Sequence, residues 1–209
     1  MATQTPLATK PKSDAVVEQR IQKLRELYAD APEIGKAALE KTMPNLKREL
    51  AAGTGTQNAG RIGARQGKVS ELTGIFPFAT PAGAKRLRVL LQYLEGNFKL
   101  ADLVGTVHDM RFVFLDNDTR LLFCTAYDGD WDAYIDDFAT KIPDALDLLF
   151  CDAEGWPGLR SPKIKDWIVA HQVPAESWYV ANPNLTVTET RRLEHVGKAV
   201  ENFLDEMAG

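Results

Sequence analysis

The chain has 209 residues, with 25 basic and 29 acidic side chains and a formal net charge of −4 at pH 7. This length can bury a sizeable core without disulfides, and the lack of a basic cluster argues against nucleic acid as a partner. No apolar run approaches the roughly 20 residues that span a bilayer, and residues 1–12 lack the apolar segment of a signal peptide. We therefore expect a cytoplasmic protein with no membrane span.

The two cysteines agree with that location. Cys124 falls within a predicted strand and Cys151 at the end of a predicted helix, both among apolar residues. This pattern is typical of buried, unpaired thiols in a reducing compartment and does not indicate a disulfide framework.

The N-terminal quarter of the sequence predicts a tail, a helical arm and a linker. Residues 1–12 are too polar to order and predict a flexible tail. Residues 13–52 predict an arm of two helices, with Ser13 as the first N-cap and Pro44 kinking or dividing the second helix. The first helix has apolar residues at helical spacing, namely Val17, Ile21, Leu24 and Tyr28. Residues 53–68 are rich in glycine and predict a linker.

Residues 69–209 predict one α+β domain. The order is a strand over 70–78, a helix over 82–94, a hairpin of strands over 107–115 and 120–127, a helix over 131–150 bent at Pro143, a short helix over 162–171, a strand over 177–181 and a helix over 189–207. Asp116, Asn117 and Asp118 form the hairpin turn, since they tolerate positive φ. The order βαββαβ is the ferredoxin-like pattern, in which helices cover one face of an antiparallel sheet. In the last helix we expect the following side chains to point inward: Leu193, Val196, Val200, Phe203 and Leu204.

Short motifs in this domain resemble a known superfamily: Val107-His108-Asp109-Met110-Arg111-Phe112, Tyr127-Asp128-Gly129-Asp130-Trp131 and Trp178-Tyr179. With the element order, residues 69–207 resemble the dimeric α+β barrel superfamily, and more narrowly bacterial proteins distantly related to dye-decolorising peroxidases. The resemblance implies a homodimer or higher oligomer. Because the superfamily includes haem peroxidases, cofactor-independent monooxygenases and proteins without known activity, it admits haem without requiring it. The Gly-x-x-Asp-Gly motif of these peroxidases is matched at Asp128-Gly129, with Thr125 at the first glycine position.

Alternation along the first hairpin strand places His108 on the face of Met110, with Asp109 and Arg111 on the other face. Arg111 beside Asp109 predicts a buried or half-buried ion pair, and the alternative is that the guanidinium binds an anionic ligand. The neutral imidazole of His108 can act as a general base or as a haem iron ligand. The alternative for His108 is a hydrogen-bonded core histidine.

Acidic residues follow the second hairpin strand. Asp128, Asp130 and Asp132 alternate as in a calcium loop, but the glycine and glutamate that an EF-hand requires are both replaced by alanine. The pattern therefore favours Asp130 as the N-cap of the following helix.

The leading functional hypothesis is a small-molecule-binding oxidoreductase, peroxidase-like or monooxygenase-like. Its catalytic candidates are His108, Asp109, Arg111 and Asp128, and its pocket candidates are Tyr127, Trp131, Trp156 and Trp178. In this hypothesis Arg111 orients an anionic group or polarises bound peroxide, while His108 or Asp128 moves a proton. Haem would be held by His108. The competing hypothesis is a non-enzymatic assembly or interaction protein that uses its barrel and helical arm for oligomerisation.

Overall fold

A computed structural model describes residues 12–52 and 55–208. The chain divides into two compact units between Thr56 and Gln57, here termed the N-terminal unit and the C-terminal unit. The predicted flexible tail, residues 1–12, lies outside the described residues apart from Lys12. Among the described residues, no helix combines the length and the apolar character needed to cross a membrane.

The N-terminal unit is a pair of helices, α1 (Asp14–Leu27) and α2 (Glu33–Ala52). Its core consists of buried residues from both helices, namely Val17, Ile21, Leu39 and Met43. The Arg25 guanidinium also donates two hydrogen bonds to the Glu40 carboxylate, at 2.9 and 3.0 Å. Pro44 lies inside α2 without dividing it, because the helix continues on both sides of the proline.

The C-terminal unit is built on a five-stranded antiparallel sheet in the order β1-β2-β3-β5-β4. The strands are β1 (Thr56–Asn58), β2 (Ala64–Gln66), β3 (Val69–Pro77), β4 (Val107–Leu115) and β5 (Arg120–Asp128). The three long strands confirm the predicted ones to within about a residue, which is the usual precision of strand boundaries. The stretch 53–68 was predicted as a linker, and this is wrong in part because it supplies β1 and β2.

The hairpin turn between β4 and β5 confirms its prediction. Asp116, Asn117 and Asp118 have φ angles of 49°, 53° and 66°. Aspartate and asparagine tolerate this left-handed region better than most residues because their short side chains bond the local backbone.

Six helices complete the described part of this unit: α3 (Pro81–Leu94), α4 (Lys99–Val104), α5 (Trp131–Lys141), α6 (Pro143–Phe150), α7 (Ile164–His171) and α8 (Val187–Ala208). The single helix predicted over 131–150 is divided between α5 and α6, because Pro143 disfavours a helical conformation at Ile142, whose φ and ψ are −141° and 42°. The short helix α4 was not predicted.

The last predicted strand, over 177–181, does not form. The edge of β3 that it would occupy is taken by β2 and by an isolated bridge between Gly74 and Gln172. The order β3-α3-β4-β5-α5, with β5 between β3 and β4, remains compatible with a ferredoxin-like arrangement.

The two faces of the sheet differ in their cover. One face, termed the helix-covered face, contributes Leu72, Phe76, Leu121, Phe123 and Tyr127 to a core shared with helices α3 to α7. The other face, termed the opposite face, carries the alternate residues of the same strands. Cys124 lies there half-buried, while Cys151 is exposed, so the prediction of a buried Cys151 is wrong.

The apolar residues of α8 were predicted to point inward, and this is also wrong. Leu193, Val196, Val200, Phe203 and Leu204 are between 49% and 59% exposed. The only buried residue in the helix is Val187 at its first position.

Candidate functional site

An apolar cavity of about 160 Å³ lies between the helix-covered face and helices α3 to α7. Aromatic rings form much of its wall, including Phe76, Phe112, Phe123, Phe150, Trp156 and Trp167. Engineered cavities of about 150 Å³ lined by Leu, Ile and Phe remain dry and bind benzene. The cavity therefore has the size and lining of a site for one small apolar molecule.

The rigid wall of the cavity depends on a glycine in β3. A Cβ at Gly74 would lie 2.5 Å from the ring of Phe76, so only glycine lets that ring lie flat across the strand. The ring of Phe76 then stacks on Trp167, with centroids 4.9 Å apart and planes 9° from parallel. A stacked aromatic pair of this kind is stabilised by more than the burial of its surface area alone.

The indole N–H groups of both tryptophans in the cavity wall donate to acceptors of the protein itself. The Trp156 Nε1–H donates to Asp147 at 2.9 Å, and the Trp167 Nε1–H donates to the Glu154 carbonyl oxygen at 3.1 Å. Asp147 also accepts the backbone N–H of Leu159 at 2.7 Å. The indole rings consequently present their carbon atoms to the cavity.

The cavity reaches the surface between α4 and α6. Leu100 in α4 and Leu148 in α6 both line it, and they are 54% and 60% exposed. Exposed leucines at the rim of an apolar cavity indicate an entrance for a ligand from water.

Tyr134 is the buried polar group of the wall. Its hydroxyl lies 2.8 Å from Thr125 Oγ1, and Thr125 Oγ1 donates to the Asp109 carbonyl oxygen at 3.0 Å. Since the threonine proton is used in that bond, the Tyr134 hydroxyl donates to Thr125. Burial raises the pKa of Tyr134 far above its ordinary value, so the side chain is neutral at physiological pH.

The opposite face carries a histidine and aspartate pair at one end. His108 Nε2 lies 2.7 Å from Asp128 Oδ1, and Asp128 Oδ2 accepts the backbone N–H of Val187 at 2.9 Å. The side chains of His108 and Asp128 are 24% and 11% exposed. Asp128 is therefore fixed by contacts from both β4 and the start of α8.

The predicted face of His108 is wrong because β4 contains an irregularity. The register with β5 shifts between Val107 and Asp109, as in a β-bulge, which inserts one extra residue into the strand. Val107 consequently packs against the core of the helix-covered face. His108 instead reaches Asp128, whose neighbour Tyr127 points to the helix-covered face.

Asp109 and Arg111 form the predicted ion pair, with Arg111 Nε 3.2 Å from Asp109 Oδ2. The pair is more exposed than expected, because the side chains of Asp109 and Arg111 are 44% and 66% exposed. On the same face but two strands away, in β3, the buried Glu71 accepts hydrogen bonds from the Ala64 N–H and the Thr73 hydroxyl, both at 3.0 Å. The four predicted catalytic residues thus share the opposite face, away from the cavity.

The four predicted pocket residues lie in different places. Trp156 lines the cavity. Tyr127 and Trp131 are fully buried in the core, where Tyr127 stacks on Tyr134 with ring centroids 3.8 Å apart. Trp178 lies half-buried between α7 and α8, and its carbonyl oxygen accepts a hydrogen bond from Gln66 Nε2 at 2.6 Å.

The acidic residues after β5 are paired with cations of the chain. Asp130 occupies the predicted N-cap position of α5, but its carboxylate binds Arg65 Nη1 at 2.8 Å. Asp132 and Asp136 bind Lys165 at 3.1 and 2.8 Å. Within residues 12–52 and 55–208, no group of three or more His, Cys, Asp or Glu side chains is arranged to hold a metal ion.

The cavity does not fit haem. Pockets for drug-sized ligands measure about 300–1,000 Å³, and haem is larger than many such ligands. The cavity measures about 160 Å³, and neither a histidine nor a cysteine is among the described residues that line it. His108, the predicted iron ligand, lies on the other side of the sheet.

No protein-family model, curated protein or solved structure matches the chain. The resemblance to the dimeric α+β barrel superfamily therefore stays a prediction. Candidate functions rest on the geometry of the chain itself.

Proposed function

We propose that the C-terminal unit binds a small, neutral, apolar molecule about the size of one aromatic ring. The observation that carries this proposal is the cavity of about 160 Å³ walled by aromatic rings and open at Leu100 and Leu148. None of the described lining residues is charged. A charged ligand would lose its hydration there without gaining a partner, so the substrate class is neutral.

The energetic cost of the cavity supports a binding role. Atoms that line an unfilled cavity lack packing partners on one side, so their dispersion contacts are lost. Because folded domains are stable by only about 5–15 kcal/mol, such a loss matters to the fold. Occupation by an apolar ligand restores the missing contacts.

Saturable binding of benzene, toluene and phenol by the full chain tests the proposal. We expect ligand to raise the melting temperature and to change the fluorescence of Trp156 and Trp167, which line the site. A ligand at about 100 times its dissociation constant stabilises the folded state by about 2.7 kcal/mol.

A matched pair of variants identifies the site. Ala145→Phe fills the cavity from α6 and is expected to abolish binding, whereas Ala82→Phe adds the same ring at an exposed position of α3 and is expected to bind normally. Binding of equal strength by the wild type and Ala145→Phe, or no binding by the wild type, would contradict the proposal.

An oxidoreductase activity, the function expected from the sequence, is the second proposal. It is supported by the 2.7 Å contact between His108 and Asp128, since a carboxylate that orients a histidine prepares it for proton transfer. The test is oxidation of neutral phenols by hydrogen peroxide. Loss of turnover in both His108→Gln and Arg111→Ala, with unchanged circular dichroism, would support this proposal, and unchanged turnover in both variants would contradict it.

The finer fold assignment is also a proposal. The element order β3-α3-β4-β5-α5 and the central position of β5 support a ferredoxin-like fold. A dimeric α+β barrel would require a second copy against the opposite face.

A further inference from the structure

Helix α8 carries an exposed apolar stripe with the spacing of a coiled coil. Leu193, Val196, Val200, Phe203 and Met207 follow one another at intervals of three and four residues, which are the a and d positions of a heptad repeat. These five side chains are between 49% and 73% exposed. At 1.5 Å per residue the stripe is about 21 Å long.

The start of α8 is firmly attached to the C-terminal unit. Thr186 and Glu189 form a capping box, in which the Glu189 N–H donates to Thr186 Oγ1 at 3.1 Å and the Thr186 N–H donates to Glu189 Oε2 at 2.8 Å. Lys68 Nζ also binds both carboxylate oxygens of Glu189, at 2.6 and 2.8 Å. The helix is therefore held in place at Glu189, four residues before its apolar stripe begins.

The charges of α8 determine which helix fits this stripe. Residues 189–198 contain three basic and two acidic side chains, whereas residues 199–208 contain three acidic side chains and no basic one. Two copies of α8 in parallel would place the acidic halves side by side. Two antiparallel copies place the basic half of each helix against the acidic half of the other.

The heptad register also favours an antiparallel pair of α8 helices. An antiparallel pairing that matches a with d positions sets Leu193 opposite Phe203 of the second copy, and Val196 opposite Val200 of the second copy. Arg192 and Glu206 are then both at g positions and face each other at each end of the seam. In a parallel pair, g positions face e positions instead, and Arg192 would face Gly197.

We propose that α8 is a self-association surface, through which two copies of this chain pair in antiparallel orientation. Small residues lie near the two-fold axis, where Ala199 of one copy faces Ala199 of the other and Gly197 allows close approach of the helices. The interface is short, so the dimer dissociates on dilution.

The apolar seam is tested with the full chain by light scattering at several protein concentrations. Val200→Glu places a carboxylate in both central layers and is expected to give a monomer. Asn202→Glu introduces the same residue and the same change of charge at an exposed c position outside the seam, in the half of α8 that is already acidic, and it is expected to leave the dimer intact. A wild type that stays monomeric at every concentration, or a Val200→Glu variant that still dimerises like the wild type, would overturn the proposal.

A charge exchange tests the orientation. Arg192→Glu and Glu206→Arg, each alone, set like charges against each other at both ends and are expected to raise the dimer dissociation constant about tenfold. The double variant restores opposite charges and is expected to recover wild-type affinity. In a parallel dimer the two positions are about 21 Å apart, so failure of the double variant to recover affinity would overturn the antiparallel orientation.

A disulfide gives an independent readout. In a Cys151→Ser background, Ala199→Cys is expected to form a covalent dimer under mild oxidation because the residue meets its own copy. Glu206→Cys is expected to stay unlinked, since its copies lie at opposite ends of the seam. The reverse pattern, with Glu206→Cys linked and Ala199→Cys unlinked, would overturn the proposal.

Discussion

The two faces of the sheet have opposite chemical characters although the same three strands build both. The helix-covered face presents rings such as Phe76 and Phe123 to an apolar core that contains the cavity. The opposite face presents His108, Asp128 and the exposed pair of Asp109 and Arg111. Because side chains alternate along each strand, the sheet itself separates a site suited to binding from groups suited to proton transfer.

This separation limits what the protein can do within one chain. A molecule in the cavity is divided from His108 by the thickness of the sheet. Any reaction at His108 must therefore use a molecule bound on the opposite face, and a ligand of the proposed cavity site would take no part in it.

Truncating one apolar side chain on each face is expected to give the largest contrast. Phe76 is 3% exposed, and Phe76→Ala is expected to lower the free energy of unfolding by about 3–5 kcal/mol because it removes a stacked ring beside an existing cavity. Val113 on the opposite face is 43% exposed, and Val113→Ala is expected to cost less than about 1 kcal/mol. Urea unfolding measures both, and equal losses would show that the two faces do not differ in burial.

The acidic residues at the end of β5 give the next largest contrast. Asp128→Ala leaves the buried N–H of Val187 without its acceptor and removes the partner of His108, so a loss of about 1–3 kcal/mol is expected. Asp130 pairs with Arg65 at a position where its side chain is 67% exposed, and Asp130→Ala is expected to cost less than about 1 kcal/mol. A larger loss in Asp130→Ala would contradict the structural role given to Asp128.

Glu189, in the first turn of α8, gives the smallest effect because its side chain is exposed and its interactions are screened. Lys68 and the Thr186 contacts lower the pKa of Glu189 from 4.5 to about 2. A lowered carboxyl pKa stabilises the folded state above the unfolded value, and this contribution is lost as pH falls from 4.5 towards about 2.

Hydrogen exchange in the first turn of α8 measures this effect. Protection in the wild type is expected to fall over that pH range, whereas Glu189→Gln is expected to show weaker protection at neutral pH with less change on acidification. Glu194→Gln removes a charge from the same helix without touching the capping contacts and serves as the control. Identical profiles for the wild type and Glu189→Gln would contradict the capping role.

The strands could be predicted from sequence because each has two local signals. Alternating apolar residues define β4 and β5, and the Asp116-Asn117-Asp118 turn sets their register. The bulge at His108 could not be predicted, since a single residue inserted at the start of β4 leaves the alternation of the following residues unchanged. One such residue was sufficient to move His108 to the other face.

The sequence also could not predict which apolar surfaces are covered within the chain and which stay exposed. The spacing of Leu193 and Val200 correctly predicted a helix with an apolar side, but a periodic pattern does not distinguish an intramolecular partner from a second chain. The cavity is a property of side-chain packing in three dimensions. The sequence pattern predicted its lining residues only as members of the core. Helix α4, which forms part of its entrance, is too short for a clear helical period.

The apolar cavity, and not the polar face, is the proposed binding site for a small neutral molecule. Methyl NMR during a benzene titration distinguishes the two faces. We expect saturable shifts for Leu72, Leu146 and Ile168, which line the cavity, with little change at Leu122 and Val113 on the opposite face. No saturable shifts, or larger shifts at Leu122 and Val113 than in the cavity, would contradict it.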